Sequence, residues 1–407
     1  MKATMGRAAA ATAIAAMAAG EAGATAFQLR EGSATAIGSA LAGRTANDAD
    51  VSLSIHNPAS LRGVRNIELS FGSNAIFPDG DATFQGAPVG GLSTNGDGYG
   101  VSALVPSFTV GWRYDPNVIF GLAVDVPFGL STEYDSDFAG GFDGVKSELT
   151  TITVTPMIAW EATPGLAFGA GFSFQYADAE LTTRVGVGPN DIASISGDGF
   201  SGGFTMGMIA EPLDGTQIGV NFQSGFDHDL EGSFSNNFPS VGGQPGEAAF
   251  NLPPLASIGL IQSITDEFRV MGEFEWTGWS AFDTLVISSN GTTVQDDVQN
   301  YNDSFMVSLG AEYDVTDALT VRAGAAFDKT PTTDRWRTVR TPDGDRYWLA
   351  AGASYQITER IGIDAAYLYI LVDDASVTLR NSPSAGTQVD YDDGDVHLLS
   401  LNLRYAF

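Results

Sequence analysis

The chain has 407 residues, with 49 acidic against 19 basic side chains, a formal net charge of −30, 49 Gly, 25 Phe, 12 Tyr and no cysteine. That charge excludes a nucleic-acid binder, which needs a basic footprint for phosphates, and the missing cysteines fit an exported protein without disulfides or thiolate metal sites. Mean hydropathy is close to zero, and beyond the N-terminal segment no run approaches the roughly 18 apolar residues of a spanning helix, which excludes a helical membrane protein but not a β-barrel, whose alternating strands average to neutral.

Residues 1–26 read as a signal peptide. Lys2 and Arg7 precede an Ala-rich stretch from Ala8 to Ala19, and Ala24-Thr25-Ala26 offers a small-residue cleavage site. Residues 27–64, Phe27 to Val64, are rich in small residues and show no sustained period of two. The segment is too polar to span lipid and too short for an independent domain, so it is expected to be a hatch inside a barrel formed by residues 65–407; a disordered tail is the other reading. Within it, Asn57-Pro58-Ala59 forms a rigid turn, since Pro58 fixes its own backbone and Asn57 bonds neighbouring amides. His56 beside it reads as a packing residue.

From Ile67 onward the period is two. Counting gives about fourteen strand candidates, an even number as single-chain barrels require. Val118, Phe120, Leu122, Val124, Val126 and Phe128 are expected to share one face, and Pro127 then removes a ladder donor while Gly129 removes a side chain. The sheet is weakened there, as a kink or as an ordinary bulge. Every second connection is short, as at Asp115-Pro116-Asn117 and Asp314 to Asp317, whereas those between are long, as in Thr182 to Gly199, Glu231 to Phe250, Ser280 to Tyr301 and Asp374 to Asp395. Short turns on one rim and long loops on the other are the outer-membrane pattern, with the short side periplasmic. Trp112, Tyr114, Trp160, Trp276, Trp279 and Tyr313 near strand ends fit interfacial girdles. Leu399, Leu401, Leu403, Tyr405 and Phe407 share an apolar face opposite Asn402 and Arg404, and the chain closes on an aromatic.

Phe27-Gln28-Leu29, Asn47-Asp48-Ala49 and Asn57-Pro58-Ala59, then Pro127 to Tyr134, Asn251-Leu252-Pro253, Trp276 to Ser280, Ala326 to Pro331 and Pro342 to Leu349 together resemble the FadL family of outer-membrane hydrocarbon and fatty-acid transporters. The resemblance covers nearly the whole chain beyond the leader, in order. It implies an all-β, 14-stranded antiparallel transmembrane β-barrel in the bacterial outer membrane with a small N-terminal hatch in the lumen. It also implies capture of a hydrophobic ligand, long-chain fatty acids first, at extracellular loops, and lateral exit through a kinked third strand at Pro127, Phe128 and Gly129. By parity Asp328 faces inward, where the resemblance implies a carboxylate holding the hatch or the kinked strand; a solvated channel carboxylate is the alternative. Phe27, Asn57, Pro58 and Ala59 would belong to the hatch.

Fatty-acid members place basic side chains near the buried pocket, yet here Asp178 and Asp297 stand at or near those places. Either Arg184, Arg322 or Arg346 meets the ligand's carboxylate, or the substrate is an uncharged aromatic or alkane hydrocarbon. The rivals from other classes are an outer-membrane hydrolase and a general diffusion porin. Only His56, His228 and His397 exist, none in a catalytic context, so no catalytic residue, metal site or cofactor is expected. The expected partners are outer-membrane lipid and lipopolysaccharide, the latter bridged by divalent ions to acidic loops, and the barrel assembly machinery; the expected state is a monomer.

Overall fold

A computed structural model describes residues 26–407 apart from 189, 238, 239 and 382. The signal peptide, save Ala26, lies outside the described residues. No described helix is long and apolar enough to cross a membrane, which says nothing of strands.

The first strands are β1 (Ile67–Gln85), β2 (Ala103–Asp115), β3 (Val118–Asp125), β4 (Gly129–Glu133), β5 (Lys146–Thr163), β6 (Leu166–Arg184) and β7 (Ile192–Leu213). There follow β8 (Thr216–Gln223), β9 (Phe226–Asn237), β10 (Ser240–Leu252), β11 (Leu255–Ser263), β12 (Phe268–Thr277), β13 (Thr284–Ser289) and β14 (Thr292–Val298). The last are β15 (Ser304–Thr316), β16 (Leu319–Asp328), β17 (Arg346–Gln356), β18 (Ile361–Val372), β19 (Ala375–Thr378) and β20 (Gln388–Ala406). Antiparallel ladders run β1-β2-β3-β5-β6-β7-β8 and on through β11-β12-β15-β16-β17-β18-β20. Pairing of β20 with β1 closes a barrel of fourteen strands, and closure satisfies the backbone groups that lipid cannot.

Alternation decides which side of the wall meets lipid. Leu399, Leu401 and Leu403 are 53%, 51% and 52% exposed, while Leu398, Ser400 and Asn402 between them are buried. The apolar face therefore points outward and the polar face into the lumen, the reverse of a soluble sandwich.

Stretches expected as loops are partly strand. Glu231 to Phe250 lies in the hairpin of β9 and β10, Ser280 to Tyr301 contains the hairpin of β13 and β14, and β7 already begins at Ile192. The composition there is polar, but backbone donors still need partners and the ladder continues past the lipid. Asn290 and Gly291, both at positive φ, make a two-residue turn between β13 and β14, a pair that favours hairpins because both central positions need that conformation.

The N-terminal segment holds one short helix, α1 (Ala34–Ile37), and two 3-10 turns, Val51–Ile55 and Pro58–Gly63. Nearly all of residues 27–64 are buried. Lumen-facing glycines let this segment approach the wall: a Cβ at Gly207 on β7 would collide with the Asn57 side chain, at Gly219 on β8 with the Thr45 carbonyl, and at Gly324 on β16 with the Ser39 carbonyl. On other sides, the Ala34 amide donates to Asn402 of β20 at 3.1 Å, and the Ser107 hydroxyl of β2 donates to the Gly32 carbonyl at 2.9 Å.

Candidate transport path

The third barrel strand is broken, and the register says how. The ladder of β3 on β5 ends at Asp125 opposite Thr153, and that of β4 on β5 begins at Gly129 opposite Thr150. From 125 to 129 is four steps and from 153 to 150 is three, so one extra residue sits in the break. An extra residue inverts side-chain parity. Phe120 on β3 accordingly faces outward, 42% exposed, whereas Phe128 is 2% exposed and turned inward. The single face expected from Val118 through Phe128 thus ends within β3. Gly129 is back in the ladder, and the weak point is Val126 to Phe128, where proline and the surplus residue coincide.

The break opens the wall on the side of β2. Its ladder with β3 stops at Phe108 opposite Val124, and Ala103 to Ser107 pair only with β1. The next contact across the seam is the isolated bridge of Gly100 with Thr132. The free edge left at Pro127 to Gly129 is taken by the N-terminal segment. Gln28 bridges Phe128, the Leu29 amide donates to the Pro127 carbonyl at 2.8 Å, and the Gly129 amide donates to the Phe27 carbonyl at 2.9 Å.

The same residues close an apolar box. The Phe27 ring lies 4.8 Å from Trp279 and 5.1 Å from Phe282, both edge-on, and 6.2 Å from Phe128. Leu130, Leu149, Phe226, Leu230, Phe250, Leu252 and Tyr301 belong to the same cluster, with Ala26 and Ala177. Edge-on aromatic pairs of this spacing contribute about 0.5–1.5 kcal/mol each beyond area burial. Trp279 is fully buried and is no girdle residue, because its parity places it with Glu273, Glu275 and Thr277 on the buried face of β12, whose end it follows in the 3-10 turn Trp279–Ala281. Trp112, Tyr114, Trp160 and Tyr313 do point outward, each about half exposed.

Asp328 on β16 meets Arg30. The guanidinium donates from Nη1 to Asp328 at 2.9 Å and from Nε to Glu275 on β12 at 2.7 Å. Burial alone would depress the Arg30 pKa, but Asp328 and then Glu275 raise it above its ordinary value, so it stays charged. Arg44 also binds Glu275 and lies 3.9 Å from Glu273, which accepts from Thr45. Asn57 accepts from the Ala59 amide at 2.9 Å and donates to the Thr45 carbonyl at 2.7 Å and the Met208 carbonyl of β7 at 3.2 Å, while Pro58 opens the turn Pro58–Gly63. His56 is held well below its ordinary pKa by burial and by Arg44.

The three arginines named as carboxylate partners do not gather in one place. Arg322 is bound by Glu312 and donates to Ser354 at 2.6 Å, and Arg346 is bound by Asp343 at 2.6 Å. Arg184, at the loop end of β6, is buried and donates to the Gly188 carbonyl at 3.0 Å, leaving its Nε and Nη2 without an acceptor. Asp178 faces outward opposite Asp198, and Asp297 on β14 lies 3.6 Å from Arg380. Neither lies in the apolar box. Arg30, Arg44, Glu273, Glu275 and the inward turn of Trp279 escaped the sequence reading. The two glutamates had a signal, since Glu273 and Glu275 alternate with the apolar Phe274 and Trp276 on one strand.

Beside the break lies a cavity of about 50 Å³, lined among others by Leu29, Arg30, Glu31, Val105, Asp125 and Pro127. That volume has room for a water or two and is too small for a hydrocarbon chain. At the short-turn rim, a polar vestibule of about 870 Å³ opens between Asp48, Arg65, Glu68, Glu359, Arg404 and Phe407.

The model of the outer membrane protein transport family (OMPP1/FadL/TodX) matches residues 15–407. A 47 kDa outer membrane protein of Pasteurella multocida is 31% identical over 96% of each chain, and the long-chain fatty acid transport protein of Escherichia coli K12 is 25% identical over 94% of each. In fold, the chain superposes on a Pseudomonas aeruginosa FadL homologue with a TM-score of 0.84 at 24% identity, covering 94% of this chain and 100% of that one. The Pseudomonas putida toluene transporter TodX follows with a TM-score of 0.67 at 18% identity and the same coverage. The chain belongs to the OMPP1/FadL/TodX family of outer membrane transport proteins and is a bacterial outer-membrane β-barrel transporter of hydrophobic molecules.

Proposed function

We propose that this chain carries long-chain fatty acids, taking them at the extracellular loops into the aromatic box and releasing them sideways into the bilayer at Val126 to Phe128. The observation that carries this reading is the double use of Phe27 to Leu29, whose ring fills the box while its backbone fills the wall break. An acyl chain entering the box competes with the Phe27 ring. Each methylene that takes the ring's place in the box contributes about 0.8 kcal/mol toward displacing it. Displacement withdraws the segment from Pro127 and Gly129 and leaves the seam open to lipid, where the tail never meets water. Residues 27–64 act as the hatch, with Asn57, Pro58 and Ala59 as its rigid hinge on β7 and Asp328 as its anchor. Arg184, with donors unclaimed, meets the carboxylate at capture; Arg322 and Arg346 are already bound by carboxylates.

On this reading the chain is a monomeric transporter, neither a hydrolase nor an open porin, with lipopolysaccharide about its outer rim and Phe407 read by the barrel assembly machinery. Uptake of aromatic or alkane hydrocarbons in the same fold is the second reading, favoured by the presence of only three lysines. Deleting Pro127 equalises the residue counts across the break, so the ladder is expected to close and palmitate uptake to fall roughly tenfold or more in cells with equal folded barrel. Undiminished uptake overturns lateral exit. Comparing palmitate with toluene and hexadecane in the parent separates the two substrate readings.

A further inference from the structure

The aromatic box contains a polar group that its own walls leave unanswered. Trp279 is fully buried, and its indole Nε1–H has no acceptor among the described residues. An indole nitrogen is a donor only, so no change of tautomer and no turned amide satisfies it. Its neighbours in the box are rings: Phe27 at 4.8 Å and Phe128 at 6.2 Å, both edge-on, and Tyr301 at 5.8 Å. The Tyr301 hydroxyl is already paired with Thr341 at 2.7 Å, and a π face is a weak acceptor at best. Burying a donor in this way forfeits a bond that water supplies to the unfolded chain, and few native groups are left so.

The Phe27 ring marks the place of the missing partner. It lies against the indole, and it belongs to the segment that an entering ligand displaces. Whatever takes its place lies against Trp279 in turn.

We propose that Trp279 reads the ligand's head: its Nε1–H donates to an acceptor oxygen of the bound molecule, which sets the box for long-chain compounds with a carbonyl or carboxyl oxygen over bare alkanes and aromatic hydrocarbons. The inference rests on the box being the ligand's site, as proposed above. A hydrocarbon in the box buries its methylenes and leaves the donor orphaned, whereas an oxygenated ligand buries them and completes the pair. A site with a buried polar group rejects the analogue that lacks its partner more strongly than an apolar pocket can reject a change of shape. Trp279 thereby bears on the choice between fatty acids and hydrocarbons, which the arginines around the lumen leave open.

The test uses methyl palmitate and octadecane, both uncharged and equal in chain length, in equilibrium binding to the full-length barrel in lipid nanodiscs. Trp279→Phe keeps an aromatic ring and removes the N–H. It is expected to weaken the ester about tenfold, the worth of one neutral hydrogen bond, and the alkane by less than about twofold, so the ratio of the two affinities falls while any loss of packing cancels. In the parent labelled with ¹⁵N-tryptophan, the indole resonance that is missing from the variant is expected to lie further downfield with the ester bound than with the alkane. Folding of the variant is checked by its heat-modifiable mobility in detergent, and the parent's resonance decides alone if the variant does not fold. An unchanged affinity ratio overturns the role of Trp279, as does an indole resonance in the same position with both ligands. Phe27→Ala vacates the ring's place and is expected to tighten both probes several-fold. If it alters neither, the box is not the ligand's site, and the inference falls with the reading beneath it.

Discussion

Arg30 is held by carboxylates from two strands, Glu275 of β12 and Asp328 of β16, so removing either partner leaves a buried charge half answered. Breaking such a pair costs about 3–5 kcal/mol, whereas replacing both partners by apolar residues of similar size costs far less. Asp328→Ala is therefore expected to loosen the N-terminal segment, seen as faster protease cleavage within residues 27–64, while heat resistance of the barrel is unchanged. Combining Arg30→Met with Asp328→Leu should restore most of the protection; equal cleavage in the single and double variants would show that the pair does not hold the segment. Gly219→Val is expected to act from the wall side, because its Cβ meets the Thr45 carbonyl, and to raise single-channel conductance. Asp328 was legible from parity alone, since Arg322, Ala326 and Asp328 share the lumen face of one strand. Arg30 was not, because it lies in a segment without period and its partner is 298 residues away.

At the scale of elements, the break in the third strand is a matter of length before it is one of side chains. Pro127→Val with Gly129→Thr favours strand at both positions, yet leaves four steps facing three. Uptake by that double variant is expected to stay within about twofold of the parent, in contrast to the deletion of Pro127, because register and not propensity sets the pairing. A sharp fall in the substituted variant would return the cause to the proline itself. The sequence marked the place, through Pro127 in an alternating run, but the surplus residue appears only when the partner strand is known. The hairpins of β9 with β10 and β13 with β14 were hidden for a related reason. Their polar composition looks like loop, and only the Asn290-Gly291 pair announced a turn. Trp279 was misread because it was grouped with the strand-end aromatics, whereas its parity places it with Glu273, Glu275 and Thr277 on the buried face of β12.

For the whole molecule, every wall strand finds partners in β1 through β20, and residues 27–64 supply pairing only at the seam from Pro127 to Gly129. Deleting Phe27 to Arg62 is therefore expected to leave a folded, heat-resistant barrel that conducts ions steadily, and a silent truncated barrel would show that this segment is no plug. A tag between Asp374 and Asp395 should be labelled on intact cells and one at Asp115-Pro116-Asn117 should not; the opposite result would invert the orientation. The fourteen strands and the outward apolar face were readable from period and loop lengths, as both arise from lipid on one side. The wall's opening has a different standing. It is written as a count along the chain, four against three, and arithmetic of that kind is indifferent to which side chains occupy the positions. Substitutions leave that count as it is, whereas loss of a single residue between Asp125 and Gly129, or gain of one between Thr150 and Thr153 on the partner strand, makes the two sides equal and removes the break.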